Sequence, residues 1–222
     1  MFQHQGIWLP DGEKHFPEWM DENGEIVDER GTYQIRKWRA CLPWIRRWRR
    51  AVDVGAHVGF WSIQMIAKFE RVAAFEPCEA FRACWQKNVA AREQDELYAC
   101  ALGAERGVCD LKYDPADSGG THVARTDGGA IPMLRLDTFG FTDVDFFKID
   151  CEGFEHKVIE GARRTLAECR PCVIVEQKAH KLGPNFGIEG TPACDLLREM
   201  GALMRTAISG DYIFSWDDDR AG

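Results

Sequence analysis

The stretch Val52-Asp53-Val54-Gly55-Ala56-His57-Val58-Gly59 decides how this chain folds. The apolar run Ala51–Val54 reads as a short strand, and it breaks into a turn carrying two glycines. The next residues, Phe60 to Phe69, set Ile63, Ile66 and Ala67 at helical spacing. Strand, glycine turn and helix in that order make a ligand cradle, because Gly55 and Gly59 tolerate unusual dihedral angles and close backbone approach. The spacing is G-x-x-x-G, not the G-x-G-x-x-G of dinucleotide enzymes, which argues against a nicotinamide dehydrogenase. Glu76 follows Asp53 by 23 residues, at the end of a second strand, Val72–Phe75. A carboxylate there can accept hydrogen bonds from both hydroxyls of a ribose. Asp53, at the mouth of the first strand, is placed to meet the cationic or amino-acid end of such a cofactor, directly or through water.

Outward from this unit, strand-like and helix-like stretches alternate. A helix is predicted from Glu79 to Ala91, a strand at Leu97–Cys100, and further strands at Val108–Tyr113 and Ile131–Leu136 around a Gly/Asp/Ser-rich loop. Val144–Ile149 is the next core strand, Glu155–Cys169 the next helix, then strand Val173–Glu176 and a helix near Pro192–Met200. The tail alternates over Leu203–Ile208, turns at Ser209-Gly210, and alternates again over Tyr212–Trp216, which predicts an antiparallel hairpin. Repeated strand–helix units imply an α/β, doubly wound sheet with its ligands at the carboxyl ends of the strands.

At 222 residues, the chain has the length of one domain with a sizeable core, and 45% hydrophobic residues fit a folded globule. No apolar run approaches a transmembrane length, and Met1–Pro10 lacks the basic start and apolar stretch of a signal peptide. A cytoplasmic protein is the expectation. Its nine cysteines then read as reduced core thiols rather than a disulfide framework. Cys169 and Cys172 have C-x-x-C spacing, but they close a helix and precede a strand, the reverse polarity of a redox dithiol, and no second pair completes a zinc site. No spacing of acids and histidines forms a convincing metal-ligand set, so no metal is assigned.

Several blocks resemble the FkbM-type methyltransferases, in that family's order and over residues 51 to 180. They are Asp53-Val-Gly-Ala-His-Val-Gly59, Phe75-Glu76-Pro77, Ala101-Leu102-Gly103, Leu136-Asp137-Thr138-Phe139 and Lys148-Ile149-Asp150-Cys151-Glu152-Gly153-Phe154-Glu155, the last continuing into Val158-Ile159-Glu160-Gly161-Ala162. His57 stands where Asn is common in the family, and Cys151 where Val is common. The resemblance implies a Rossmann-like class I methyltransferase fold, a mostly parallel seven-stranded sheet with the C-terminal antiparallel hairpin. It also implies S-adenosyl-L-methionine as cofactor and methylation of a hydroxyl on a sugar, polyketide or other small molecule. Asp53, Gly55, Ala56, His57, Gly59, Glu76, Pro77, Ala101, Leu102 and Asp150 are the cofactor candidates. Residues 51–222 form the cofactor-binding domain in this reading, and residues 1–50 lie outside the shared core.

Methyl transfer from a sulfonium is an in-line displacement, so the protein must mainly align donor, methyl and nucleophile, and a base helps a hydroxyl nucleophile. Lys148, Asp150 and Glu152 alternate, which in an extended strand puts all three on one side. A Lys beside Phe146 and Phe147 needs a charge partner, and these acids are the nearest in sequence. The cluster reads equally as a structural ion-pair network or as substrate machinery. Asp150 is the first choice for proximity to the sulfonium or hydroxyl, and Glu152 the second. Glu176 ends the next strand and is placed to orient Lys148. His122 and His180 are the candidate bases near neutral pH, while His156 opens a helix and reads as structural.

Charge is unevenly spread. The net charge is -8, yet residues 36–50 carry seven Arg/Lys and no acid, so everything else sums to -15. Trp38, Trp44 and Trp48 interleave with these cations. Phosphate contact with base stacking is one reading of the segment, and an anionic membrane surface is another. The favoured reading packs the tryptophans on the body and pairs the arginines with the acidic remainder. The preceding 35 residues hold eight acids and many breakers and read as a loop-like arm anchored by Trp8, Phe16 and Trp19, fit to cover the substrate cleft as a lid. Two competing functions stand beside the leading one. A nucleic-acid methyltransferase lacks the Asn/Asp-Pro-Pro-aromatic motif here, and a non-catalytic S-adenosylmethionine-binding accessory protein keeps the pocket without turnover.

Overall fold

In the computed structural model, residues 1–125, 129–178, 187 and 189–217 are described. The strand that opens the quoted stretch, Arg50–Val54 (β5), is an interior strand of a seven-stranded sheet. Preceding it are β1 (Phe2–His4), β2 (Ile7–Leu9), α1 (His15–Asn23), β3 (Ile26–Val27), β4 (Arg30–Gly31) and α2 (Ile35–Cys41). Following it are α3 (Phe60–Ile66), β6 (Arg71–Phe75), α4 (Glu79–Asn88) and β7 (Glu96–Tyr98). Next come β8 (Ala101–Leu102), β9 (Gly107–Lys112), β10 (His122–Arg125) and β11 (Ile131–Leu134). The chain then runs through β12 (Val144–Ile149), α5 (Glu155–Gly161), α6 (Arg163–Cys169), β13 (Cys172–Glu176), α7 (Pro192–Glu199), β14 (Leu203–Ile208) and β15 (Asp211–Ser215).

The large sheet has the order β14-β15-β13-β12-β5-β6-β7. Every pair from β13 to β7 is parallel, and β15 runs antiparallel to both of its neighbours. This is the mostly parallel sheet with a terminal hairpin expected from the sequence. β5, β12 and β13 are buried along their whole length, as strands covered on both faces are, although they carry the charged residues Arg50, Asp53, Asp145, Lys148 and Glu176 among their apolar ones. Alternate residues serve the two faces. Val52, Val54, Phe147 and Ile149 join α5, α6 and α7 in one core, while Ala51, Phe146 and Ile174 join α2 and α3 in the other.

Three expectations are corrected here. The third strand stops at Tyr98, and Ala101–Leu102 leaves it to seed a second sheet, β10-β9-β11-β8. The predicted helix from Glu155 to Cys169 is two helices, interrupted at Ala162 with φ -113° and ψ 8°; Gly161 before it packs on Gly103, where an added Cβ would stand 2.0 Å from the carbonyl oxygen. The N-terminal arm is ordered rather than loop-like. It holds two small hairpins and α1, and Ile7, Leu9, Phe16 and Met20 are buried with Val58, Phe60 and Cys84. Trp8 and Trp19 pack only partly; Trp8 is held instead by its backbone, which trades hydrogen bonds with Asn88.

The basic segment is largely committed within the chain. Trp38 meets Trp61 and Phe146, and Trp48 meets Phe69 at 5.0 Å, while the Arg205 guanidinium covers Trp44. Lys37 pairs with Asp211, Arg39 with Glu25, Arg49 with Asp145, and Arg50 with Asp143 and Glu96. Cys169 and Cys172 pack on opposite faces of the large sheet.

Candidate active site

The carboxyl ends of β5, β6, β12 and β13 open onto two adjoining clefts of about 610 and 470 Å³. Both are bounded by Gly55, Glu76, Thr121 and Asp150. The larger adds Lys148, Glu152, Glu176, His57 and the rings of Phe16, Tyr33, Phe60 and Trp61. The smaller is more apolar in lining, with Pro77, Ala101, Leu102, Leu111 and Val123.

The turn after β5 is shaped by left-handed residues, Gly55 at φ 71°, His57 at φ 51° and Gly59 at φ 99°. Gly55 is glycine because the Asp150 carbonyl crosses it; a Cβ would lie 2.0 Å from that oxygen. Gly59 bounds neither cleft. Trp85 of α4 and Val89 just past its end press on it, 2.6 Å from an added Cβ at the nearest atom, so packing alone calls for a glycine here. Glu76 is fixed by two backbone donors, His57 N–H to Oε2 and Cys78 N–H to Oε1, both at 2.8 Å. Each oxygen keeps a further lone pair. Burial pushes Glu76 up to about 7, against the pull of these hydrogen bonds.

Asp53 is corrected most clearly. It is fully buried, accepts from Ser62 Oγ at 2.7 Å, lies 3.3 Å from the Lys148 ammonium, and bounds neither cleft. The reason is register: Asp53 and Lys148 are direct partners across β5 and β12. Lys148 also donates to the carbonyls of Val54 (3.1 Å) and Gly55 (2.6 Å). Burial pushes Lys148 down, but the charges of Asp53 and Asp150 outweigh it and leave the group above its ordinary value. It is therefore a permanent cation that ties the two strand ends together. Of the acids expected from alternation, Asp150 acts on Lys148 through its charge, but from beyond the strand, because β12 ends at Ile149 and the chain turns, with Glu152 at φ 56° and Gly153 at φ 108°. Glu176 pairs with Lys178.

Turning does bring the acids together. One carboxylate oxygen each of Asp150, Glu152 and Glu176 lies within 4.8 Å of the others. Sequence spacing assigned no metal; the three carboxylates form a local acidic cluster beside the ammonium groups of Lys148 and Lys178. Glu155, missed as a site residue, holds the turn by accepting from Cys151 N–H and Gly153 N–H at 2.9 Å, and burial pushes it up to about 7. Its signal was present at the helix start, where an acid accepts free N–H groups.

The histidines separate. His57 packs on Phe81 and Phe16 and stands 2.9 Å from Ser118 Oγ; burial and the Lys148 charge hold it down to about 3, so it is neutral. His122 borders the smaller cleft, away from Lys148 and Glu152, with Nδ1 2.9 Å from the Gly120 carbonyl. His156 is buried in α5. His180 lies outside the described residues. Phe16, expected as an anchor of the arm, bounds the larger cleft; Tyr33 and Ser118 bound it too and were not singled out by their sequence.

The strand order, the hairpin and a strand-end site of this layout define a class I methyltransferase fold. The methyltransferase FkbM domain model matches residues 53–204, and the chain belongs to that family. A search of curated proteins returns no match. Among solved structures, a methyltransferase FkbM from Methylobacillus flagellatus KT is 18% identical with a TM-score of 0.49, covering 76% of this chain and 43% of that one. Monomeric WbdD is 14% identical at a TM-score of 0.51, covering 94% and 46%. A precorrin-6y C5,15-methyltransferase from Geobacter metallireducens GS-15 is 14% identical at 0.49, covering 90% and 96%. The chain thus spans less than half the length of the first two. Among the described residues, no helix is long and apolar enough to cross a membrane.

Proposed function

We propose that this protein transfers a methyl group from S-adenosyl-L-methionine to a hydroxyl of a sugar or other small molecule. The observation that carries the reading is Glu76, a buried carboxylate oriented by two backbone donors at the junction of an apolar cleft and an acidic one. The residues fit the cofactor's chemistry. Glu76 offers free lone pairs to a ribose diol. Pro77, Ala101 and Leu102 offer an apolar wall to a base. Asp150, Glu152 and Glu176 offer negative potential to a sulfonium and an ammonium. When bound, the group supplies an electrophilic methyl on a positively charged sulfur.

The chain's own contribution is alignment and charge. Asp150 borders both clefts, which makes it the foremost candidate to accept the proton of an acceptor hydroxyl, with Glu152 next. Lys148 stays protonated and serves as a strand clamp and a fixed positive charge, not as a base. The aromatic rings of Phe16, Tyr33, Phe60 and Trp61 wall the acceptor side and exclude water. A nucleic-acid acceptor finds less support, because the cations of residues 36–50 mostly have partners within the chain. Calorimetry with S-adenosylmethionine and NAD, followed by tritium-methyl transfer into fractionated extracts with mass spectrometry of the product, tests the proposal. Preference for NAD, or binding of S-adenosylmethionine with no labelled product, would sink it.

A further inference from the structure

The arm, outside the matched stretch 53–204, is tied to the site by a chain of hydrogen bonds. Glu13, in the arm and only 4% exposed, accepts Phe16 N–H at 3.0 Å on one oxygen. Its other oxygen accepts both Ser118 N–H, at 2.9 Å, and the Ser118 hydroxyl. Lys14 N–H and His15 N–H add bonds to the Ala116 carbonyl, so the arm is strapped to the segment between β9 and β10.

The consequence falls on His57. A serine hydroxyl has one hydrogen. Ser118 gives its hydrogen to Glu13, so Ser118 Oγ can only accept from His57 Nε2, 2.9 Å away. The imidazole is neutral, so Nδ1 carries no hydrogen, and among the described residues it is buried without a partner. A buried bare acceptor is unfavourable unless something donates to it. His57 also sits at φ 51°, a strained setting for a non-glycine residue, and its backbone N–H is one of the two groups that orient Glu76.

We propose that Glu13 is a positioning residue of the methyl-transfer site. Through Ser118 it holds His57 as the Nε2–H tautomer. That fixes the strained turn that aims Glu76 and leaves Nδ1 to accept from an O–H or N–H of the molecule bound in the larger cleft. The proposal rests on the preceding reading for the role of Glu76, but the tautomer does not depend on that reading.

Long-range ¹H–¹⁵N spectra of histidine-labelled, ligand-free protein test the first part, and S-adenosylhomocysteine titration tests the second. The wild type is expected to show protonated Nε2 and bare Nδ1 at His57. Glu13→Gln and Ser118→Ala should shift it toward the other tautomer or a mixture, and weaken S-adenosylhomocysteine about tenfold, the worth of one lost hydrogen bond. Ser118→Thr, which keeps the hydroxyl, should restore both. Ser118→Ala keeps the test decisive if Glu13→Gln unfolds the arm. A wild type with protonated Nδ1, or variants whose tautomer or whose affinity is unchanged, would overturn the proposal. A wild type that shows the predicted tautomer yet binds no S-adenosylhomocysteine would overturn the cofactor reading and leave the hydrogen-bond chain standing.

Discussion

Glu76 and Asp150 border the same two clefts, yet their substitution should fail in different ways. Glu76→Gln removes a charged acceptor while keeping the shape, so S-adenosylhomocysteine affinity is expected to drop roughly 10–100-fold, measured by calorimetry. Burial holds Glu76 up to about 7, and ribose hydroxyls donate best to the ionised form. Affinity should therefore fall as pH is lowered from 8 to 6, and the Gln variant should be flat over that range. A wild-type profile that rises instead would contradict the assignment. Asp150→Asn should cut turnover by about 100-fold or more while changing cofactor affinity far less, the pattern of a proton acceptor. Unchanged turnover removes it from the mechanism. Of the sequence candidates at this scale, Glu76 stands just past the end of its strand, as its position in the sequence indicated, and borders both clefts. Asp53 misled because its cross-strand partner, Lys148, is 95 residues away and only register reveals it.

At the scale of elements, the turn after β5 and the turn after β12 are built into one another. Gly55 admits the Asp150 carbonyl, Lys148 bonds back to the Gly55 carbonyl, and Glu155 caps the second turn. Gly59 serves a different purpose, letting α3 begin against α4. Gly59→Ala should destabilise the protein by about 1–3 kcal/mol in denaturant unfolding, from the positive φ and the contact with Val89. Its folded fraction should keep near-normal S-adenosylhomocysteine affinity, and a selective loss of affinity would instead return Gly59 to the cofactor site. Periodicity located most strands and helices to within a few residues. It could not show the break between α5 and α6 at Ala162, nor that Gly161 beside it packs on the backbone of Gly103, a contact no local pattern encodes.

Across the whole molecule, the acidic body and the basic segment hold each other. Arg50 is buried beneath Phe141 and bonds Asp143 and Glu96. Arg50→Gln should cost about 2–3 kcal/mol in unfolding free energy, below the fully buried limit because both acids remain partly in water. Stability should also depend on pH through Glu76 and Glu155, each pushed by burial from 4.5 up to about 7. Both bind their proton more tightly folded than unfolded, so their stabilising contribution is complete below about pH 4.5 and is lost as pH rises through 7. The ligand-free protein should lose on the order of 3 kcal/mol per group between those limits, and Glu155→Gln should flatten the decline in Tm from pH 5 to 8. A Glu155→Gln slope equal to the wild type would refute this.

What the sequence determined by itself was the sheet, its hairpin and the strand ends that carry the site. Those follow from apolar periodicity and glycine placement, which are local properties of the chain. Only the tertiary structure decided that Asp53 is an internal counter-ion and that Asp150, Glu152 and Glu176 converge. It also decided that Glu13 reaches His57 through Ser118, across 105 residues of sequence. These contacts depend on strand register and on where an arm docks. Hydrogen bonds and ion pairs act over a few ångströms in space, and residues that meet at that range need have no relation in sequence.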